Sequence, residues 1–161
     1  MKSIEGGVTA ARGYVANALS CGIKKPEATR LDLALVYSEL PATSSGTFTT
    51  NRVRAACVRV SEHHLSRGNI RAIVANSGNA NACTGVRGVE DARTECRVVA
   101  EQLGLNPSEV AVCSTGVIGL PMPMMRITPR LPELCTNLSA ANGHNVASAI
   151  ITSDTREKEV A

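Results

Sequence analysis

Between residues 89 and 103 the apolar side chains Val89, Ala92, Cys96, Val99 and Leu103 recur at i, i+3, i+7, i+10 and i+14, the spacing of one helical face. Glu90, Asp91, Glu95 and Glu101 fall between them and read as the solvated face, with Arg97 and Glu101 spaced as an i, i+4 pair. Gly104 stands where a C-cap glycine belongs. Elsewhere the apolar residues bunch rather than recur. The runs 31–37, 55–60 and 70–75 are short, rich in Val, Ile, Leu and Ala, and bounded by turn residues, which predicts three strands. A fourth strand follows Asn106-Pro107-Ser108-Glu109 and starts at Val110. A second helix is expected over 145–151, and Pro121, Pro123, Pro129 and Pro132 make the stretch before it loop-like with short helical turns.

This alternation of strands and helices over 161 residues predicts one α/β domain spanning 1–161. Tyr14, Tyr37 and Phe48 are the only aromatics, so the core must be built from Ala, Val, Ile and Leu. Stacking platforms for bases are missing, and the formal charge of +3 is spread thinly apart from Lys24-Lys25, so nucleic-acid binding is not expected. The six cysteines form no C-x-x-C pair and no zinc-ligand spacing. No metal is expected, and the thiols read as reduced and mostly buried. The start Met1-Lys-Ser-Ile-Glu-Gly-Gly has no apolar leader segment, and no run approaches the ~20 apolar residues of a membrane span. The expected location is cytosolic, or an organelle matrix for a longer precursor.

The chemistry concentrates where the fourth strand ends, in Val110-Ala-Val-Cys-Ser114-Thr115-Gly116-Val-Ile-Gly119. A strand end carrying a hydroxyl and two glycines can aim backbone N–H groups and one Thr hydroxyl at a substrate, which is how a developing oxyanion is held. No obvious nucleophile accompanies it elsewhere in the chain. Asn76-Ser-Gly-Asn79-Ala-Asn81-Ala-Cys-Thr84-Gly85 follows a strand and precedes the long helix, and serves equally as ligand loop or structural turn. His63-His64, at a helix start, and His144 read as surface residues, and Pro41 to Asn51, small and hydroxylated, as a solvated loop in preference to the wall of a polar pocket. Lys24 could bind a carboxylate, and Thr152 with Asp154 a substrate ammonium or amide, each being on its own a weak signal.

Taken together these stretches resemble the ornithine acetyltransferase family, the bifunctional glutamate N-acetyltransferases of the cyclic arginine pathway. The resemblance runs through Gly22-Ile-Lys24, Leu31-Asp-Leu-Ala-Leu-Val36, Pro41-Ala-Thr43, Phe48-Thr-Thr-Asn51-Arg52-Val53, the Asn-rich loop, Ser114-Thr-Gly-Val-Ile-Gly119-Leu-Pro121 and Ile151-Thr-Ser-Asp154-Thr-Arg-Glu-Lys158, and so covers nearly the whole chain. It implies a layered αββα sandwich, shared with self-cleaving N-terminal-nucleophile aminopeptidases. It also implies a precursor that cuts itself, the new β-chain N-terminus being the nucleophilic threonine, with this chain most of the α part. That threonine takes the acetyl group of N-acetylornithine, ornithine leaves, and glutamate accepts the acetyl; some members also use acetyl-CoA as donor, and no cofactor is implied. Mapped by motif, Thr115 and Gly116 would form the oxyanion hole and Thr152 would touch the amino-acid substrate.

An N-terminal threonine uses its own α-amine as base, so a chain poor in His and carboxylate constellations suits this scheme. The family's Lys-Gly and Ala-Thr stretch around the cut is expected some tens of residues after Lys158, beyond Ala161. Thr47 and Met122-Pro-Met-Met125 depart from the family pattern. The chain alone is therefore expected to be inert and to work as half of an αβ hetero-oligomer. The alternatives are an amidohydrolase of the same fold, in which water takes the acyl group, and a non-catalytic amino-acid-binding remnant.

Overall fold

The computed structural model describes residues 4–161, so the expectation drawn from the Met1-to-Gly7 start lies partly outside it. Four strands form one mixed sheet in the order β1 (Tyr14–Leu19), β2 (Leu33–Ser38), β3 (Ala72–Asn79), β4 (Val110–Val117). The first two pairings are antiparallel and β3 runs parallel to β4. Parallel neighbours need a crossover, and the long helix α2 (Gly85–Leu103) supplies it.

Alternation along β2 divides the core in two. Leu33 and Leu35 face a large cluster with Val74, Val110 and Val112 of the sheet, and Ala92, Cys96 and Val99 of α2. Ala34 and Ala16 face the other side, where α5 (Gly143–Ala149) lays Val146 and Ala149 over β1 and β2. That second cover stops short of β3 and β4, whose residues on this face, Ile73 and Cys113, are exposed.

α2 contains the predicted helix whole and adds one turn at its start. Gly104 caps it at φ 65°, and Arg97 Nη1 lies 2.9 Å from Glu101 Oε1. The proline-rich stretch holds two short helices, α3 (Met124–Ile127) and α4 (Leu131–Thr136), with Met122, Ile127, Leu131 and Leu134 in the main cluster. The loop 41–50 carries no regular structure and is largely exposed, as expected.

The run 55–60 is not a strand. It opens the helix α1 (Ala56–Arg67), whose buried residues Ala56, Cys57, Val60, Ser61 and His64 follow helical spacing. Two of those are polar because α1 covers the free edge of β4. The Ser61 hydroxyl donates to the Val112 carbonyl at 2.7 Å and accepts from the Val112 N–H at 2.9 Å. His64 Nδ1 donates to the Val110 carbonyl at 2.7 Å. Unpaired edge groups are thereby satisfied by side chains rather than by a fifth strand. His64 is accordingly near the end of a helix and buried, a correction to its reading as a surface residue at a helix start.

Glu95 is the second correction. It lies on the buried side of α2, fully inaccessible, with both carboxylate oxygens lacking hydrogen-bond partners among the described residues. Burial, and then the neighbouring Asp91 carboxylate, push its pKa up to about 8. The thiols are free, with no disulfide among the described residues, yet Cys57 and Cys96 alone are fully buried; Cys83 and Cys113 are exposed. No helix among the described residues is long and apolar enough to cross a membrane.

Candidate functional site

At the C-terminal ends of β3 and β4 the sheet opens into a cavity of about 510 Å³. Its floor is Ser77-Gly78 of β3 and Thr115-Gly116-Val117 of β4, which are register partners in the parallel pair. One wall is the loop between β1 and β2, with Lys24, Lys25, Ala28, Arg30 and Asp32; the other is Ile151-Thr152-Ser153 just after α5. All three site residues taken from the resemblance, Thr115, Gly116 and Thr152, therefore line one cavity. Strand ends in parallel sheets are where α/β proteins place ligands, because the loops that follow diverge.

The floor has to be glycine. Gly116 sits at φ +134°, and a Cβ there would stand 2.4 Å from the Gly78 carbonyl carbon and 2.6 Å from the Asn79 nitrogen. Both are backbone atoms of a paired strand and cannot give way. Gly78, at φ +102°, is pressed in turn by Lys24, whose Cβ and N lie 3.0 Å from the position a Cβ would take. Two bare backbones thus stack beneath the wall loop and leave the end of β4 open to a ligand.

Thr115 follows from the alternation of β4: Val110 and Val112 point into the main core, so Cys113 and Thr115 point the other way, onto the face that α5 leaves uncovered. The side chain is half-buried there and lines the cavity, so its hydroxyl is available as a donor. Ser114, its neighbour in the motif, does not line the cavity.

The turn beyond β4 is held by the Asn-rich segment. Asn79 Nδ2 donates to the carbonyls of Leu120 and Pro121, both at 3.1 Å, while Ala80 N–H bonds the Val117 carbonyl and Gly119 N–H the Ala82 carbonyl. Asn76 Nδ2 bonds the Asn79 carbonyl, and Asn81, with no exposed surface, bonds the Gly88 carbonyl at the start of α2. Structural turn and ligand loop are thus divided along the segment. Its asparagines brace the turn, and only Ser77 and Gly78 reach the cavity.

Sequence reasoning gave no role to Asp32, which organises the wall. It is buried, its Oδ1 accepts from Cys21 N–H and its Oδ2 from Ile23 N–H, both at 2.6 Å. Arg126 Nη1, 104 residues further along the chain, donates to the Gly22 carbonyl at 2.8 Å. The signal was present in the Asp of the 31–36 run, a charge inside an apolar strand entry that must be satisfied to be tolerated. Asp154, by contrast, pairs with Lys158 at 2.7 Å and stays outside the cavity. His63 and His144 also lie outside it.

The wall offers no thiolate. Burial, and then the Asp32 carboxylate, push the Cys21 thiol up to about 12, so it stays protonated at neutral pH. Among the described residues no group of three or more His, Cys, Asp and Glu side chains could hold a metal ion. The cavity supplies charge, donors and shape.

Residues 15–161 match the ArgJ family. The arginine biosynthesis bifunctional protein ArgJ of Geobacter sulfurreducens is 49% identical over 147 residues, covering 91% of this chain and 37% of the relative. The protein of the same name from Prochlorococcus marinus is 46% identical over 160 residues, with 98% and 38% covered. The chain thus spans under two fifths of the length of these relatives. Among solved structures, ornithine acetyltransferase from Mycobacterium tuberculosis, complexed with ornithine, superposes with a TM-score of 0.93 at 38% identity, covering 99% of this chain and 86% of that one. The bifunctional ArgJ protein of Bacillus halodurans gives a TM-score of 0.89 at 38% identity, with 99% and 83% covered. At that similarity the α/β fold is shared.

Proposed function

The chain belongs to the ArgJ family, and from that premise we propose that it is the oxyanion-holding part of an acetyltransferase that moves acetyl from N-acetylornithine to glutamate. The observation that carries the reading is the convergence of Thr115, Gly116 and Thr152 on one cavity that contains no activated nucleophile of its own. Such a site is half of a catalytic machine. It needs a second group delivered from outside, and the uncovered face of β3 and β4, onto which Thr115 points, is where a companion polypeptide has room to bring one.

Coverage supports two chains. The chain accounts for 86% and 83% of the solved chains but only 37% and 38% of the curated relatives, as expected if those solved chains are one product of a cut precursor.

The steps follow from the donors. The companion threonine hydroxyl attacks the acetyl carbonyl carbon of N-acetylornithine, its proton passing to its own α-amine. The carbonyl π electrons move onto oxygen, where the Thr115 hydroxyl and the Gly116 N–H meet them. The C–N bond breaks as the α-amine returns the proton to the departing nitrogen, which leaves as ornithine. Glutamate's amine then attacks the acetyl ester, the same oxygen becomes negative against the same two donors, and the threonine oxygen leaves with a proton, giving N-acetylglutamate. One hole serves both halves because both place charge on one atom. Thr152, on the opposite wall, contacts the amino-acid part.

Initial rates of the complete enzyme, measured while both substrates are varied, test this order of events. Parallel double-reciprocal lines are expected, since ornithine departs before glutamate reacts. Intersecting lines would contradict the acetyl-enzyme, and release of acetate at full rate without glutamate would make the protein an amidohydrolase.

A further inference from the structure

Three cations, Lys24, Lys25 and Arg30, line the same wall of the cavity, and none of them makes an ion pair among the described residues. Asp32 is the one carboxylate among the lining residues, so the lining carries three positive charges against one negative, a net of two positive. Glu27 belongs to the same loop but does not line the cavity. The loop is fixed before any ligand arrives: Asp32 and Arg126 hold its backbone, and Lys24 rests on Gly78, the register partner of Gly116. A positive field is therefore built against the residue pair that holds Gly116.

Resting on the acetyltransferase reading above, we propose that this wall ranks the ligands of the pocket by net charge, favouring occupancy by glutamate over ornithine. The two amino acids that pass through the pocket share an α-amino and an α-carboxyl group and differ at the side-chain end. Ornithine ends in an ammonium and is a net monocation; glutamate ends in a carboxylate and is a net monoanion. N-acetylornithine is neutral overall. A pocket that must release ornithine and then admit glutamate gains from a field that repels the first and attracts the second. Between charges several ångströms apart at a partly solvated site, each such interaction is worth about a tenfold change in affinity. The wall thus acts on the two ligands in opposite directions, which shape complementarity alone does not do.

The test uses the complete enzyme and a variant combining Lys24→Met, Lys25→Met and Arg30→Met, which keeps unbranched, flexible stems and removes the charge. Equilibrium titration with glutamate and with ornithine, separately, reads binding without turnover. The variant is expected to bind glutamate on the order of tenfold more weakly and ornithine on the order of tenfold more tightly, and raising salt toward 1 M should move the parent enzyme in the same two directions. Weaker binding of both ligands by a similar factor would mean that the substitutions only damage the pocket and would overturn the proposal. So would affinities that do not change, or a loss confined to transfer from acetyl-CoA, which would assign the cations to a phosphate-bearing donor. The two readings fail separately: charge-ranked binding without acetyl transfer would sink the acetyltransferase reading and leave the wall standing, while transfer without ranking would do the reverse.

Discussion

Thr115→Ala in the complete enzyme is expected to lower kcat by about 10²–10³ while leaving KM for both substrates nearly unchanged. The donor is lost only where the acetyl oxygen carries full negative charge, so the ground-state complex does not feel it. Folding is expected to be unaffected, because the Thr115 side chain is half-buried at the end of a strand whose remaining pairs are intact. Gly116→Ala is the harsher change at the same place. Its methyl group must displace the Gly78 and Asn79 backbone, so it removes both activity and stability, whereas Thr115→Ala separates them. Steady-state rates together with a thermal melt distinguish the two cases. Unchanged turnover in Thr115→Ala would remove that hydroxyl from the mechanism.

The second large effect lies away from the cavity. Glu95 is buried without partners and its carboxyl pKa is pushed up to about 8, so the folded protein holds a proton there that the unfolded chain has already lost. The sign follows from the linkage between proton binding and folding. Below the ordinary carboxylate range both states are protonated and Glu95 adds no pH dependence. As pH rises from about 4.5 toward about 8 the unfolded state ionises alone, and stability falls throughout that window. Above it both states are ionised and the loss is complete. A tenfold difference in proton affinity between the folded and unfolded states corresponds to about 1.4 kcal/mol, so the whole loss is on the order of 3–5 kcal/mol. Glu95→Met fills the same volume without a charge to desolvate, so it should stabilise the enzyme by that order at pH 8 and by much less at pH 4.5. Urea unfolding of parent and variant at the two pH values checks this, and a difference between them that does not grow with pH would contradict it.

How far the sequence reached is clearest where it stumbled. The apolar period of 89–103 marked α2 because that helix buries one stripe and exposes the rest. Glu95 defeats the same logic, since a charge on a helix belongs to solvent unless tertiary packing closes over it, and only the tertiary packing shows that closure. The run 55–60 looked like a strand because Val58 and Val60 are β-branched and Ala55, Ala56 and Cys57 are small and apolar, and because the helical face continues through Ser61 and His64, polar residues whose burial depends on the edge of β4. β1 passed unrecognised because Ala16, Asn17 and Ala18 are all buried, which erases the alternation that announces a half-buried strand. The floor of the site was legible from Thr115-Gly116, since hydroxyl and glycine at a strand end carry their chemistry in their residue types. The wall was not: Lys25, Arg30 and Asp32 acquire their roles from the way one loop folds back on Gly78.

The most direct measurement of the division of labour is a single turnover of the complete enzyme with N-acetylornithine and no glutamate, followed by intact-mass analysis of its separated polypeptides. The expected result is one acetyl group on the companion polypeptide, at its N-terminal threonine, and none on the chain of 161 residues that supplies Thr115 and Gly116. An acetyl group on this chain, or an active enzyme whose only polypeptide is this one, would contradict it.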